Sequence, residues 1–539
     1  MKILSAVLVL TFAVSAAAQT PADHQHPAPE KLGRVHFETS CRPDVSAAFD
    51  RAVALLHSFS FSTAKKGFDE VLAGDPSCAI AYWGLAMTHW GNPFAGLKAG
   101  ALLENGRAAS ERGLATGTPT ERERGYLAAV AELYKNHASV DHRTRTLAYA
   151  KAMEQLHQRH PGDREAAAFY ALAVNQTALP TDKTYANQLT ASGILEGLFA
   201  TDPEHPGLAH YIIHAFDHPP LAARGLQAAR RYATIAPSAP HALHMPSHTF
   251  TRVGSWQESI DTNIQSAQAA IRDGMFGEAL HAMDYQAYAY LQTGQDAAAL
   301  RVAAEAPNVL ARLDVNAMGG AAPPVAGFYA AAAIPARYAM ERGAWAEAAA
   351  LALHPTPFAY VDAITHFARA VGAARTGKPD AAAADAEALG ALHAKLAATP
   401  DAYWTEQVRI QREVALAWVA FAQGRQDQAV EQLRAAAAAE DASDKAAISP
   451  GPLAPARELL GEMLLAMKRP ADALKEFEAV LKKEPNRFRA TWQAARAADQ
   501  AGNAAAARTH RADLLVIAKA GDTPGRPELQ EARRAAGAR

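Results

Sequence analysis

The chain is 539 residues long and carries a formal charge of −2 at pH 7, its 53 basic and 55 acidic residues being spread along the whole length. No one-sided field is available to gather phosphate backbones or anionic lipid, so neither nucleic acid nor a membrane surface is an expected partner. Alanine dominates, in runs such as AEAAALAL and RAAAAAE with few β-branched neighbours, which argues for helices throughout and against strands.

The first eighteen residues hold one basic residue, Lys2, an apolar run from Ile3 to Val14, and Ala16-Ala17-Ala18 before Gln19. That pattern predicts a secretory signal peptide over residues 1–18, cut at Ala18/Gln19, and a periplasmic or secreted protein. No cysteine follows the cut, so no lipid anchor is expected. No later stretch approaches about 18 uninterrupted strongly apolar residues, so no membrane insertion is expected either. Residues 19–42, rich in proline and polar residues at their start, are expected to be a flexible lead-in. His24 and His26 within it read as solvated linker before they read as a metal-capturing arm. Cys41 and Cys78 are the only cysteines. In an exported chain they most simply form one disulfide, buried thiols or soft metal ligands being the alternative. There is no CxxCH, which excludes covalently attached c-type haem.

Helical periodicity begins near Pro43 and is expected to run as an irregular array over 43–440. Units close near Pro203 and Pro237, and others turn at Gly254, Gly294, Gly343, Gly377 and Gly424. Residues 92–125 and 316–327 are the least regular. A loop rich in proline and serine, from Asp441 to Pro455, is expected to set off a C-terminal group of repeats over 456–520, followed by a frayed tail over 521–539. His57, His89 and the seven tryptophans fall in helical surroundings where packing is the default reading.

The clearest unit is PARELLGEMLLAMKRPADALKEFEAVLKKEPNR, with Leu460 and Gly461 in a first helix, Ala473 and Phe477 in a second, and a closing Pro485. It resembles the tetratricopeptide repeat, in which small residues let two helices approach and an aromatic ring fills the remaining space. Measured back from Pro76, Ala52, Ala64 and Phe68 take equivalent positions, making residues 45–78 another such unit. The resemblance implies an all-α, right-handed superhelical solenoid of stacked antiparallel helix pairs, and a concave groove that binds a protein or peptide.

Histidine is concentrated in two segments, HPGLAHYIIHAFDHP over 205–219 and HALHMPSHTFTRVGSW over 241–256. In the first, Leu208, Tyr211, Ile212, Ala215 and Phe216 mark a buried helical stripe, and His210, His214 and Asp217 point away from it. In the second, His241, His244 and His248 gather off the packed side. His210 and His244 are 34 residues apart, as are His214 and His248, which is one repeat length. By the resemblance these positions line the concave groove, so four imidazoles would face one groove from neighbouring helices and could hold Zn, Cu or Ni. His281 and Asp284 follow on the next hairpin, and Asp284 or Asp217 is placed to complete the shell or orient a ligand ring. Pro246 interrupts the second segment and would either start its helix or kink it.

No glutamate lies between the paired histidines as in HExxH, and no Walker loop, G-x-S-x-G, kinase set or dinucleotide fingerprint is present. Three readings follow. One is an exported scaffold with a partner in its groove. The next is the same scaffold with a histidine metal site. The last is a metal-dependent hydrolase with Asp217 or Asp284 as base. An enzyme is the less expected of these classes.

Overall fold

The computed structural model describes residues 30–98, 100–315 and 320–537. The expected signal peptide, its expected cleavage point, His24 and His26 lie outside the described residues, as does part of the 316–327 loop. Consecutive helices pack against one another in antiparallel pairs from Ser46–His57 to Pro527–Gly537, and no strand occurs among the described residues. The fold is an all-α solenoid of stacked helix pairs. No helix is long and apolar enough to cross a membrane among the described residues.

The repeat chemistry read from the sequence acts at its two ends. A methyl group on Gly461 would meet the Phe477 ring at 2.6 Å, and one on Gly84 would meet Phe68 at 2.4 Å. The absent Cβ is the space the aromatic ring fills, within one hairpin at Gly461 and between successive ones at Gly84. Cys41 and Cys78 are joined in a disulfide, which ties the extended segment before Pro43 to the start of the helix Ala79–Trp90.

Three segments are better packed than expected. Of the lead-in, residues 30–42 form an extended strap whose Phe37 is buried among Phe49, Trp83 and Tyr126. The tail holds the helix Pro527–Gly537, with Leu529 and Ala532 buried and Arg526 bonded to Asp296 and the Leu291 carbonyl. The loop 441–455 is not a boundary: one hydrophobic core runs from Tyr329 to Ala507 and includes Leu453.

What closes the molecule is a set of long-range contacts. Asn92 donates to the Ala321 carbonyl, His218 pairs with Asp444, Trp256 donates to the Asn486 carbonyl, and Asn486 to that of Gly254, at separations of 229, 226, 230 and 232 residues. Each joins repeats far apart in the chain, and other such contacts span 112 to 207 residues, as between Arg337 and Ser449 and between Lys31 and Ser238. The glycine turns make this contact possible. Gly254 has a φ of 71°, and a Cβ there would meet the Pro485 carbonyl oxygen at 2.3 Å.

Candidate metal centre

The helix Pro206–Ala215 begins with Pro206, whose missing N–H costs nothing at a first turn. The expected stripe of Leu208, Tyr211 and Ile212 is buried, but so is every other residue of the helix. His210 and His214 do not line an open groove. Phe59 and Phe94 lie against the His214 ring, with centroids at 5.6 and 4.4 Å, and Phe59 stands edge-on to His210 at 4.4 Å. The same holds on the neighbouring helices. His210, His214, His241, His244, His248 and His281 are between 0 % and 7 % exposed. The groove position expected of them is thereby corrected to a dry interior.

Of the two outcomes expected of Pro246, it starts its helix. The helices Pro240–His244 and Pro246–Val253 are separate, with Pro246 opening the second, yet Met245 between them keeps helical angles of −53° and −35°. The chain therefore continues in one direction, and His244 and His248 stay one turn apart on one face.

The six rings form an unbroken row that divides into two sets of three. His210, His214 and His241 form one, and His244, His248 and His281 the other, with ligand-type nitrogens all within 4.8 Å in each. The four-histidine site expected from the sequence is thus redistributed, its two pairs each gaining a third ring. His241 was seen near the site but not counted among its ligands. Its counterpart on the next hairpin is His281, 40 residues on, as Asp284 is to His244. That offset was the available signal.

Partners outside the row fix which nitrogen carries hydrogen in three of the six rings. His210 donates through Nδ1 to the His57 carbonyl at 2.6 Å, and His248 through Nδ1 to Asp217 at 2.9 Å. His244 donates through Nδ1 to Asn263 Oδ1 at 2.7 Å, and the amide orientation is set because Asn263 Nδ2 donates to the Ser259 carbonyl. In a neutral ring the Nε2 then bears only a lone pair. Burial and the neighbouring His281, His248 and His241 hold His244 well below the ordinary imidazole range, and burial brings His248 to about 4 despite Asp217. Both are therefore neutral near pH 7. Two bare lone pairs, His244 Nε2 and His248 Nε2, face each other at 3.0 Å. His210 and His214 Nε2 stand at 3.1 Å, although there His214 is free to adopt the tautomer that donates.

A 3.0 Å gap between two acceptors is repulsive, but it suits two ligands of one ion. Bonds of about 2.0–2.1 Å at angles between 90° and tetrahedral separate the donors by about 2.8–3.4 Å. Further buried atoms without partners surround the row: both nitrogens of His241, Nδ1 of His281, and Oε2 of Glu278. His241 Nδ1 lies 3.6 Å from that Glu278 oxygen, a small shift from the carboxylate–histidine support seen at Asp217 and His248. Glu278 was not foreseen.

The two acids that were foreseen act differently. Asp217 orients His248 and also accepts from Arg252 and Lys445. Burial alone would raise it, and Lys445, Arg252 and His248 hold it well below the carboxylate range. Asp284 falls in neither set: its Oδ1 pairs with the buried Arg337 at 2.8 Å while its Oδ2 is buried without a hydrogen-bond partner, so its expected place in the shell is not taken up. The loop 441–455 covers this end. Tyr285 donates to the carbonyls of Ala447 and Ser449, and the main chain of Ile448 reaches His281.

Behind the first set, His57 is more than packing. Its Nε2 donates to Glu165 at 2.8 Å, its Nδ1 accepts from Tyr211, and its carbonyl holds His210, while Glu165 also accepts from His205 at 2.9 Å. Gly207 makes room for this ring, since a Cβ there would meet His57 Nδ1 at 2.3 Å. Beside the second set, a narrow cleft partly open to solvent is lined by Trp256, Tyr329, Phe367, Trp404, Arg252 and Lys445. The last two are the cations that hold Asp217.

No family model matches the chain, and no curated protein does. Among solved structures it is similar to human IFIT1, a dimer with m7Gppp-AAAA, at 11 % identity and a TM-score of 0.36 over 90 % of this chain and 92 % of that one. It is similar also to the Cut9–Hcn1 hetero-tetramer of the APC/C, at 12 % identity and a TM-score of 0.33 over 91 % and 90 %. A further similarity is to Naa15/Naa10 bound to HypK, at 13 % identity and 0.22 over 87 % and 70 %.

Proposed function

We propose that this chain is an exported helical-repeat protein that holds transition-metal ions in its interior, the repeat array serving as their casing. The observation that carries the reading is the approach of His244 Nε2 and His248 Nε2 to 3.0 Å while both Nδ1 atoms donate elsewhere. Zn, Cu and Ni all suit such imidazole donors. Export is supported by the Lys2 to Ala18 leader pattern and by a disulfide, which persists in oxidising compartments. The test is elemental analysis of protein purified without a histidine tag, beside His244→Ala and His248→Ala. Bound metal in the wild type, reduced in both variants, is expected. Metal content near zero in all three would overturn the reading.

Two other readings keep a place. Three histidines per set leave a coordination position open, as in hydrolytic metal sites; Asp217 is taken up by His248, Arg252 and Lys445, whereas Asp284 pairs with Arg337 through Oδ1 and keeps Oδ2 without a hydrogen-bond partner. Turnover of ester, amide or phosphate substrates that is lost in His248→Ala would favour the hydrolase. A protein or peptide partner would have the aromatic cleft between Trp256 and Trp404 to enter, because contacts between repeats far apart in the chain take up the flanking surface.

A further inference from the structure

The six-histidine row has more ligands than one ion takes. Four-coordination is the usual limit for imidazole-bound zinc and copper, and the rings span two sets joined side by side, His214 to His248 at 6.4 Å and His241 to His244 at 6.0 Å. Each set also has its own carboxylate behind one ring and its own uncharged acceptor behind another. In the first set the His57 carbonyl accepts from His210, and the Glu278 carboxylate stands 3.6 Å from His241 Nδ1 without yet hydrogen-bonding it. In the second the carboxylate is Asp217 on His248 and the acceptor Asn263 on His244. This paired support is what two separate ions require.

Charge then narrows the metal. Imidazole is an uncharged ligand, so none of the six cancels the charge of an ion in this buried interior, where an uncompensated charge is costly. Two divalent ions would bring four positive charges against Glu278 and Asp217, and Asp217 is already matched by Arg252 at 2.8 Å and Lys445 at 3.4 Å. Monovalent ions halve that load. Among metals that favour imidazole, copper has a stable monovalent state. The surroundings also make the two sets unequal. The first has the unpaired Glu278 oxygen beside it, and the second faces two cations for one acid.

We propose that the row holds two copper ions taken up in the monovalent state, with the His210–His214–His241 set filling before the His244–His248–His281 set. This rests on the reading of the row as a metal centre. The experiment is an anaerobic titration of the untagged, metal-stripped full chain with copper(I), in competition with a chromogenic copper(I) chelator, and a parallel titration with zinc(II). Two equivalents of copper with distinct affinities are expected, and zinc should not displace them at equal concentration. His210→Gln should abolish the tighter equivalent and His244→Gln the weaker one. Lys445→Gln, which leaves all six ligands in place, should narrow the gap between the two constants by on the order of tenfold. Helical circular dichroism of each variant confirms that it is folded. One equivalent, two equal ones unaffected by Lys445→Gln, or preference for zinc would overturn this inference while leaving a metal centre in place. Absence of binding by either metal would overturn both.

Discussion

A neutral imidazole has one donor and one acceptor, and in this interior the donors of His244 and His248 are spoken for. Asn263 is the simplest handle on that arrangement because it carries no charge. Asn263→Ala frees His244 to exchange tautomers, and the expected result is a loss of roughly 10–100-fold in metal affinity with little change in helix content. Competition with a chelator measures it, and an unchanged affinity would show that the ring's tautomer is not controlled from Asn263. A second residue-scale case lies away from the row. Burial would raise the Glu462 carboxyl, but the Arg375 and Arg489 guanidiniums on it bring it down to about 2. Because the folded value is depressed, its stabilisation is present in full above the unfolded value near 4.5 and is lost as the pH falls toward about 2. Glu462→Gln leaves two buried cations and should cost about 3–5 kcal/mol at neutral pH, with a weaker acid dependence in thermal melts.

At the scale of elements, close contacts decide what the sequence makes legible. The Gly461–Phe477 contact is local, so the residues that pack are the residues that stand at fixed spacing, and the hairpin can be read directly. Gly461→Val should destabilise by about 1–3 kcal/mol through overpacking against Phe477, visible as a lower midpoint in urea. The histidine pairs were legible for the same reason, being one repeat length apart on like helices. Their regrouping was not. His241 crosses to the first set and His281 joins the second because three successive hairpins press together, and no periodicity within a single helix encodes that. His57 reaches His210 from 153 residues away along the chain through its carbonyl, and Glu165 stands behind His57 from a further 108. Asp284 illustrates the reverse: it stands at the position equivalent to His244, but Arg337 claims it.

For the molecule as a whole, the decisive feature is the return of the C-terminal repeats and the loop 441–455 over the middle of the chain. A resemblance carried by single repeats specifies a stack but not its pitch, so the open groove expected from it is, along the row, a closed interior. Arg487 fastens these distant repeats together, bonded to Glu458 at 2.7 Å, Glu341 at 2.8 Å and Tyr288 at 3.0 Å, with no exposure of its own. Arg487→Met strands two buried acids and should cost about 3–5 kcal/mol, seen as a lower Tm and faster proteolysis near Gly254 and Gly294. Closure should also govern how fast metal leaves. Tyr285→Phe removes the hydroxyl that holds the Ala447 and Ser449 carbonyls, and the expected outcome is faster chelator-driven release with unchanged stoichiometry. Equal release rates would mean that the loop does not limit exit.

The central claim is that ions sit on the Nε2 atoms of the buried row. Anomalous X-ray diffraction from crystals of the untagged protein, collected on both sides of the absorption edge of whichever metal elemental analysis detects, tests it most directly. The account predicts a peak about 2.0–2.1 Å from the Nε2 atoms of His244 and His248. A row with no anomalous density, with the metal found elsewhere or absent, would contradict it.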